Sequence, residues 1–170
     1  MPRSPDYYDD WREVLTELKA QTDRGVAVVG LALLDAKIGK ALRLIFVPGL
    51  SQHELDDLFD GPVAPLGSFS AKVRVAHALG LIGDESKADL RLLGQIRNKF
   101  AHRLEIRSFE NPTILKLCGD LSLADRVFES QERPVEARAR FIQSVINIMH
   151  FLYSELVAGT KIGAKPSKSP

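Results

Sequence analysis

The segment Arg97-Asn98-Lys99-Phe100-Ala101-His102-Arg103 concentrates the residue types of phosphate chemistry. A histidine moves protons near neutral pH. An arginine fork holds a phosphate and stabilises charge developing on it. An asparagine orients either group, and Lys99 and Arg103 add positive charge. These are the groups of a metal-independent ribonuclease. In that chemistry His102 takes a proton from a ribose 2′-hydroxyl or returns one to the leaving oxygen. Arg97 clamps the phosphate and Asn98 orients. At about 100° per residue on a helix, Asn98 and His102 share a face one turn apart, while Arg97 lies about 140° from His102. Arg97 and His102 converge if the arginine stem swings or if a second copy of the chain supplies the other half. A purely structural use is also open: Arg97 pairs with a carboxylate such as Asp89, Asp35 or Glu105, and Asn98 and His102 brace nearby loops. In a third use, Arg97, Lys99, His102 and Arg103 bind RNA or a nucleotide without cleaving it.

The elements that must position this cluster read as helices. Tyr7, Trp11, Val14, Leu15 and Leu18 recur at helical spacing over Asp6 to Gln21. A longer helix from Thr22 or Asp23 to Phe46 is apolar on most sides, with a polar stripe at Lys37, Lys40 and Arg43, the pattern of a central helix. Gly25 and Gly30 suit close helix approach. Asp35 is costly to bury alone, so it meets Arg97, Lys72 or Arg74, as a structural ion pair or as a residue that positions the site. Ser51-Gln52-His53-Glu54 is a capping box that opens a short helix toward Asp60. Further helices are expected from Ser68 or Ser70 to Gly80, from Asp84 through Leu104, and from Asn111-Pro112 through Cys118. The last opens at Pro134, with Val135, Ile142, Val145, Ile146, Met149, Leu152 and Leu156 on its core face. Ser122 to Glu132 is ambiguous. The expected architecture is an all-α single-domain bundle of about six or seven helices over residues 1–158, followed by a flexible basic tail at 159–170.

Composition narrows the functions. In 170 residues, 23 Lys and Arg face 22 Asp and Glu, a formal charge of +1; 45% of residues are hydrophobic and 26% charged. A chain that neutralises many phosphates carries a basic surplus, so broad duplex binding is disfavoured. Positive charge is local, at Lys72, Arg74, Arg97, Lys99, Arg103 and the lysine tail, so a contact with RNA or DNA through a local patch stays open. The single cysteine, Cys118, excludes an internal disulfide and cannot build a zinc site alone. The four histidines, His53, His77, His102 and His150, are scattered, so no metal site and no cofactor is expected. There is no glycine-rich phosphate loop, no zinc-protease pair and no Gly-x-Ser-x-Gly elbow. No apolar run reaches bilayer length and the first residues lack a signal-peptide core, so a cytoplasmic setting is expected. A helix-turn-helix would use Ser70 to Gly80, the turn Gly80-Leu81-Ile82-Gly83 and the helix from Asp84. That helix opens Asp84-Glu85-Ser86-Lys87-Ala88-Asp89, with acids where base edges and phosphates would be met.

Two resemblances rest on these residues. Arg97-Asn98 followed by His102 resembles the Arg-x4-His motif of the HEPN superfamily, small helical proteins that are commonly dimeric and often ribonucleases. It implies catalytic roles for Arg97, Asn98 and His102. More of the chain resembles the mannitol operon repressor (MltR) family. The blocks are Arg24 to Asp35, Leu58-Phe59-Asp60-Gly61, Pro65 to Lys72, Ala78 to Ile82 and Ile96 to His102, in that order. This second resemblance implies an all-helical regulator that lowers expression of a sugar-alcohol uptake operon. With no helix-turn-helix, such a regulator works through a protein partner or RNA. A homodimer is expected, through the last helix or the helix of the polar cluster.

These uses predict different outcomes. A ribonuclease cleaves RNA without divalent metal and loses this in a folded His102→Ala variant. A direct repressor shifts operator DNA with steep salt dependence. A dimer gives twice the chain mass in solution at micromolar concentration.

Overall fold

The computed structural model describes residues 6–46, 49–61, 63–128 and 136–162, with side chains over 13–46, 49–61, 63–125 and 136–152. Eight helices and no strand occur among the described residues: α1 (Asp6–Ala20), α2 (Asp23–Ile45), α3 (Gln52–Phe59), α4 (Phe69–Ala78), α5 (Asp84–His102), α6 (Pro112–Gly119), α7 (Ser122–Phe128) and α8 (Ala137–Ile162). The all-α expectation holds, with eight helices among the described residues where about six or seven were expected.

Local chemistry sets most of the boundaries. Thr22 caps α2, its hydroxyl accepting from the Gly25 amide at 3.2 Å. Ser51 and Glu54 complete the capping box at α3, and those bonds from the Ser51 amide and hydroxyl hold the Glu54 carboxyl below its usual range. Asn111 accepts from the Thr113 amide, and Pro112 follows as the first helical residue of α6. α4 ends where Gly80 takes φ +74°, the left-handed conformation glycine adopts without strain.

α7 is the helix the periodicity leaves ambiguous, and its cause lies elsewhere in the chain. Asp89 of α5 is completely buried. Its carboxylate accepts from the Ser122 amide at 3.0 Å, the Ser122 hydroxyl at 3.1 Å and the Leu123 amide at 3.0 Å. A negative group over the exposed amides of a helix start satisfies donors that short α7 cannot satisfy itself. Asp89 therefore faces α7 and not Arg97.

α2 and α5 form the centre. α2 packs on α1, α4, α5 and α8, while α5 packs on α2, α4, α6, α7 and α8. Leu34, Ile38 and Leu42 of α2, Leu90, Leu93, Ile96 and Phe100 of α5, and Phe141, Val145 and Ile148 of α8 are fully enclosed. Each such side chain contributes about 1.5–3 kcal/mol of burial. Phe109 links the end of α5 to α8, its ring 5.1 Å from Phe100 and 5.4 Å from Phe141. Gly30 allows the close α2–α8 approach, since a Cβ there would stand 3.1 Å from the Phe141 ring. Gly25 does a different job from the one expected: its added Cβ would meet Gln21 and Thr22, so the constraint is local to the cap.

Val14, Leu18, Ile142, Val145, Met149 and Leu152 are buried as their spacing requires, and Ile146 is half-buried. The side chains of Tyr7, Trp11, Val135 and Leu156 lie outside the described ones, as does the expected opening at Pro134. α8 runs on through Gly159 to Ile162; the rest of the expected tail, 163–170, lies outside the described residues. No helix among the described residues is long and apolar enough to cross a membrane.

Asp89→Ala should cost about 3 kcal/mol, because it strands buried donors at the start of α7. The melting temperature should fall by roughly 6–12 °C. Unchanged melting would show that α7 does not depend on this carboxylate.

Candidate functional site

α5 carries Lys87, Arg91, Gly94 and Asn98 at three- and four-residue steps, which places them along one stripe of the helix. Ser70 and Arg74 stand one turn apart on α4. The two stripes border a groove of about 600 Å³ between α4 and α5. Leu31, Val73, Leu90 and Phe69 give it an apolar floor; Ser68, Ser70, Gln95 and Asn98 add polar groups, and Arg74, Lys87, Arg91 and Arg97 supply four cations. No carboxylate lines it.

The position of α4 is set from α2. Lys72 is buried to 8% exposure, and its ammonium donates to both Asp35 oxygens at 2.9 Å. Its stem lies across Gly39, whose added Cβ would sit 3.8 Å from the lysine Cε. Asp35 thus meets Lys72, one of the partners expected for it, and stands outside the groove lining.

The groove arginines are held differently from the rest. Arg24 donates to the carbonyls of Phe100 and Ile106, the latter at 3.0 Å, with Arg103 at 3.4 Å. Arg138 reaches the Leu18, Lys19 and Gln21 carbonyls, and Arg140 those of Cys118, Gly119 and Leu121. Arg43 pairs with Asp56 and Asp60 and lies over the Phe59 ring. Among the described residues the side chains of Arg74, Arg91, Arg97 and Asn98 make no hydrogen bond or ion pair. Lys87 makes one contact, 3.3 Å to His77 Nδ1, while His77 Nε2 meets Asp84 at 2.8 Å.

The sequence cluster is therefore split. Arg97 and Asn98 enter the groove. Lys99, His102 and Arg103 do not line it, and His102 is exposed at the end of α5. Arg103 lies 3.8 Å from Glu105. The α5 terminus is clamped by Arg24, with Asp23 accepting from the Phe109 amide at 2.9 Å just beyond. Neither Asp23 nor Arg24 stood out as a positioning residue, because their partners are backbone groups with no sequence signature. Lys87, Arg91 and Gly94 were missed as well: the spacing Lys87-x3-Arg91-x2-Gly94-x3-Asn98 puts them on one stripe of α5, but nothing local in the sequence pairs that stripe with Arg74 of α4.

Among the described residues no three His, Cys, Asp or Glu side chains converge for a metal ion. Cys118 is buried, and desolvation pushes its thiol up to about 12 against the opposing pull of Arg140. It stays protonated near neutral pH and is no nucleophile there.

This helix order and packing can be set beside solved structures. The MtlR chain in the MtlR–HPr complex from Escherichia coli superposes with a TM-score of 0.67 at 21% identity, over 83% of this chain and 96% of that one. The chain has the fold of MtlR. A possible transcriptional regulator, YggD, from Shigella flexneri matches at a TM-score of 0.59 and 18% identity, over 85% of this chain and 97% of that one. No protein-family model and no curated protein sequence matches. The resemblance read from the sequence blocks thus extends to the MtlR fold along nearly its whole length.

Stability should separate the two arginine classes. Arg91→Gln should change unfolding free energy by less than about 0.5 kcal/mol, since it removes only like-charge repulsion. Arg24→Ala should cost about 2 kcal/mol by stranding carbonyls at the α5 terminus. Denaturant titration measures both; a large loss for Arg91→Gln would make that arginine structural.

Proposed function

We propose that this chain is a transcriptional regulator of the mannitol operon repressor type, acting through a protein partner. The observation that carries this reading is the likeness to MtlR and YggD along nearly their entire chains. MtlR was solved in complex with HPr, and a protein of the HPr type is the partner proposed here.

The physics of α4 and α5 supports partner-mediated action. A recognition helix inserts its N-terminal end among phosphates in the major groove. α5 opens with Asp84 and Glu85, and α2, α4, α6, α7 and α8 take up much of its surface. Charge and packing both oppose its use as a reading helix. The polar cluster fits binding better than cleavage, because Arg97 and Asn98 face a groove whose lining does not include His102. A second copy of the chain would have to bring a histidine to Arg97 for the ribonuclease chemistry to assemble.

Purified chain mixed with HPr from its own organism should elute from a sizing column as a complex. Alone, it should give no specific shift of operator DNA at low salt. A specific, strongly salt-dependent operator shift by the chain alone would overturn the partner-mediated reading.

A further inference from the structure

We propose that the α4/α5 groove is a binding site for a small organic diphosphate, with the phosphoryl groups held by Arg74, Arg91 and Arg97 and the organic part on the Phe69 floor. The inference does not rest on the regulatory reading. It starts from a charge distribution the fold does not need.

Among the described residues the chain engages most of its arginines in caps or ion pairs. Those whose side chains make no hydrogen bond or ion pair are Arg74, Arg91, Arg97 and Arg107, and three of these four line one groove. Lys87 joins them and no carboxylate does. Cations gathered this way repel one another, and the repulsion is relieved when an anion enters. Two adjacent phosphoryl groups bring about three negative charges, close to what the site presents, and their oxygens suit arginine forks from both helices. Asn98 and Gln95 add polar side chains at the same wall.

The floor argues for an organic moiety beyond the phosphates. A groove of about 600 Å³ lies within the roughly 300–1,000 Å³ typical of small-ligand sites. Phe69, half-buried against the core, presents part of its ring to this space. Gly94 stands beside it. A Cβ on Gly94 would rest 3.6 Å from the Phe69 ring, an ordinary contact, so packing does not require glycine here. A mid-helix glycine costs about 1 kcal/mol relative to alanine; at this position it leaves the floor open.

Isothermal titration of the full chain with inorganic pyrophosphate and with ADP tests the proposal at fixed ionic strength. Saturable one-to-one binding of both is expected, with ADP tighter if the organic part is a nucleoside stacked on Phe69. Equal affinity would overturn the placement of an organic part on the Phe69 floor. Arg74→Gln with Arg91→Gln should weaken binding at least about tenfold, whereas Arg107→Gln should leave it unchanged. Gly94→Leu fills the floor while keeping every charge, and should weaken ADP more than pyrophosphate where ADP binds tighter. The proposal fails if neither probe saturates, if the double variant binds as well as the parent, if Arg107→Gln weakens binding equally, or if only long single-stranded RNA binds. Each readout is independent of HPr, so failure here and failure of the regulatory reading are separable.

Discussion

Every helix leaves amides at its start and carbonyls at its end without partners inside the helix, and the eight helices among the described residues have many such ends. This protein satisfies several of them across the fold. Arg24 of α2 holds the end of α5, Arg138 of α8 the end of α1, and Arg140 of α8 the end of α6. Asp89 of α5 holds the start of α7. The arginine forks suit this work because each carries several donors in a rigid plane and stays charged at any working pH. These bonds link elements far apart in the chain, so α5 is fixed at its end by α2 and itself fixes α7. The Lys72–Asp35 pair completes the frame by setting α4 on α2. Both walls of the groove between α4 and α5 are thus positioned by bonds made away from it.

Against that background the groove cations are conspicuous. Structural arginines here spend their donors on carbonyls and carboxylates, while Arg74, Arg91 and Arg97 spend none on the protein. The near-zero net charge hides this, since acids such as Asp56, Asp57 and Asp60 on or next to α3 balance the sum without entering the groove. The same separation divides the polar cluster at the end of α5. Helical geometry turns Arg97 away from His102, and the Arg24 clamp holds the backbone around His102 on the other side of that division.

Much of the fold was legible because the information was local. Apolar spacing marked α1, α2, α5 and α8, and Thr22, Ser51, Ser68 and Asn111 are side chains that cap the helix they precede. α7 was not legible, since the carboxylate that starts it is thirty-three residues away. Gly25 and Gly30 look alike in sequence, yet one serves a cap and the other an interhelical contact with Phe141. Of the candidate site, Arg97 and Asn98 were found through their motif. Arg74, Lys87 and Arg91 come to the same groove only through the angle between α4 and α5, which no local pattern encodes.

In the proposed site the polar end of α5 works through the α4/α5 groove and not through His102. Backbone amide shifts, followed by heteronuclear NMR while the full chain is titrated with pyrophosphate, test it most directly. Saturable shifts are expected at Ser70, Arg74, Arg91, Gly94 and Asn98, with His102 and Arg103 little moved. Shifts centred on His102 and Arg103, with the start of α4 silent, would contradict it.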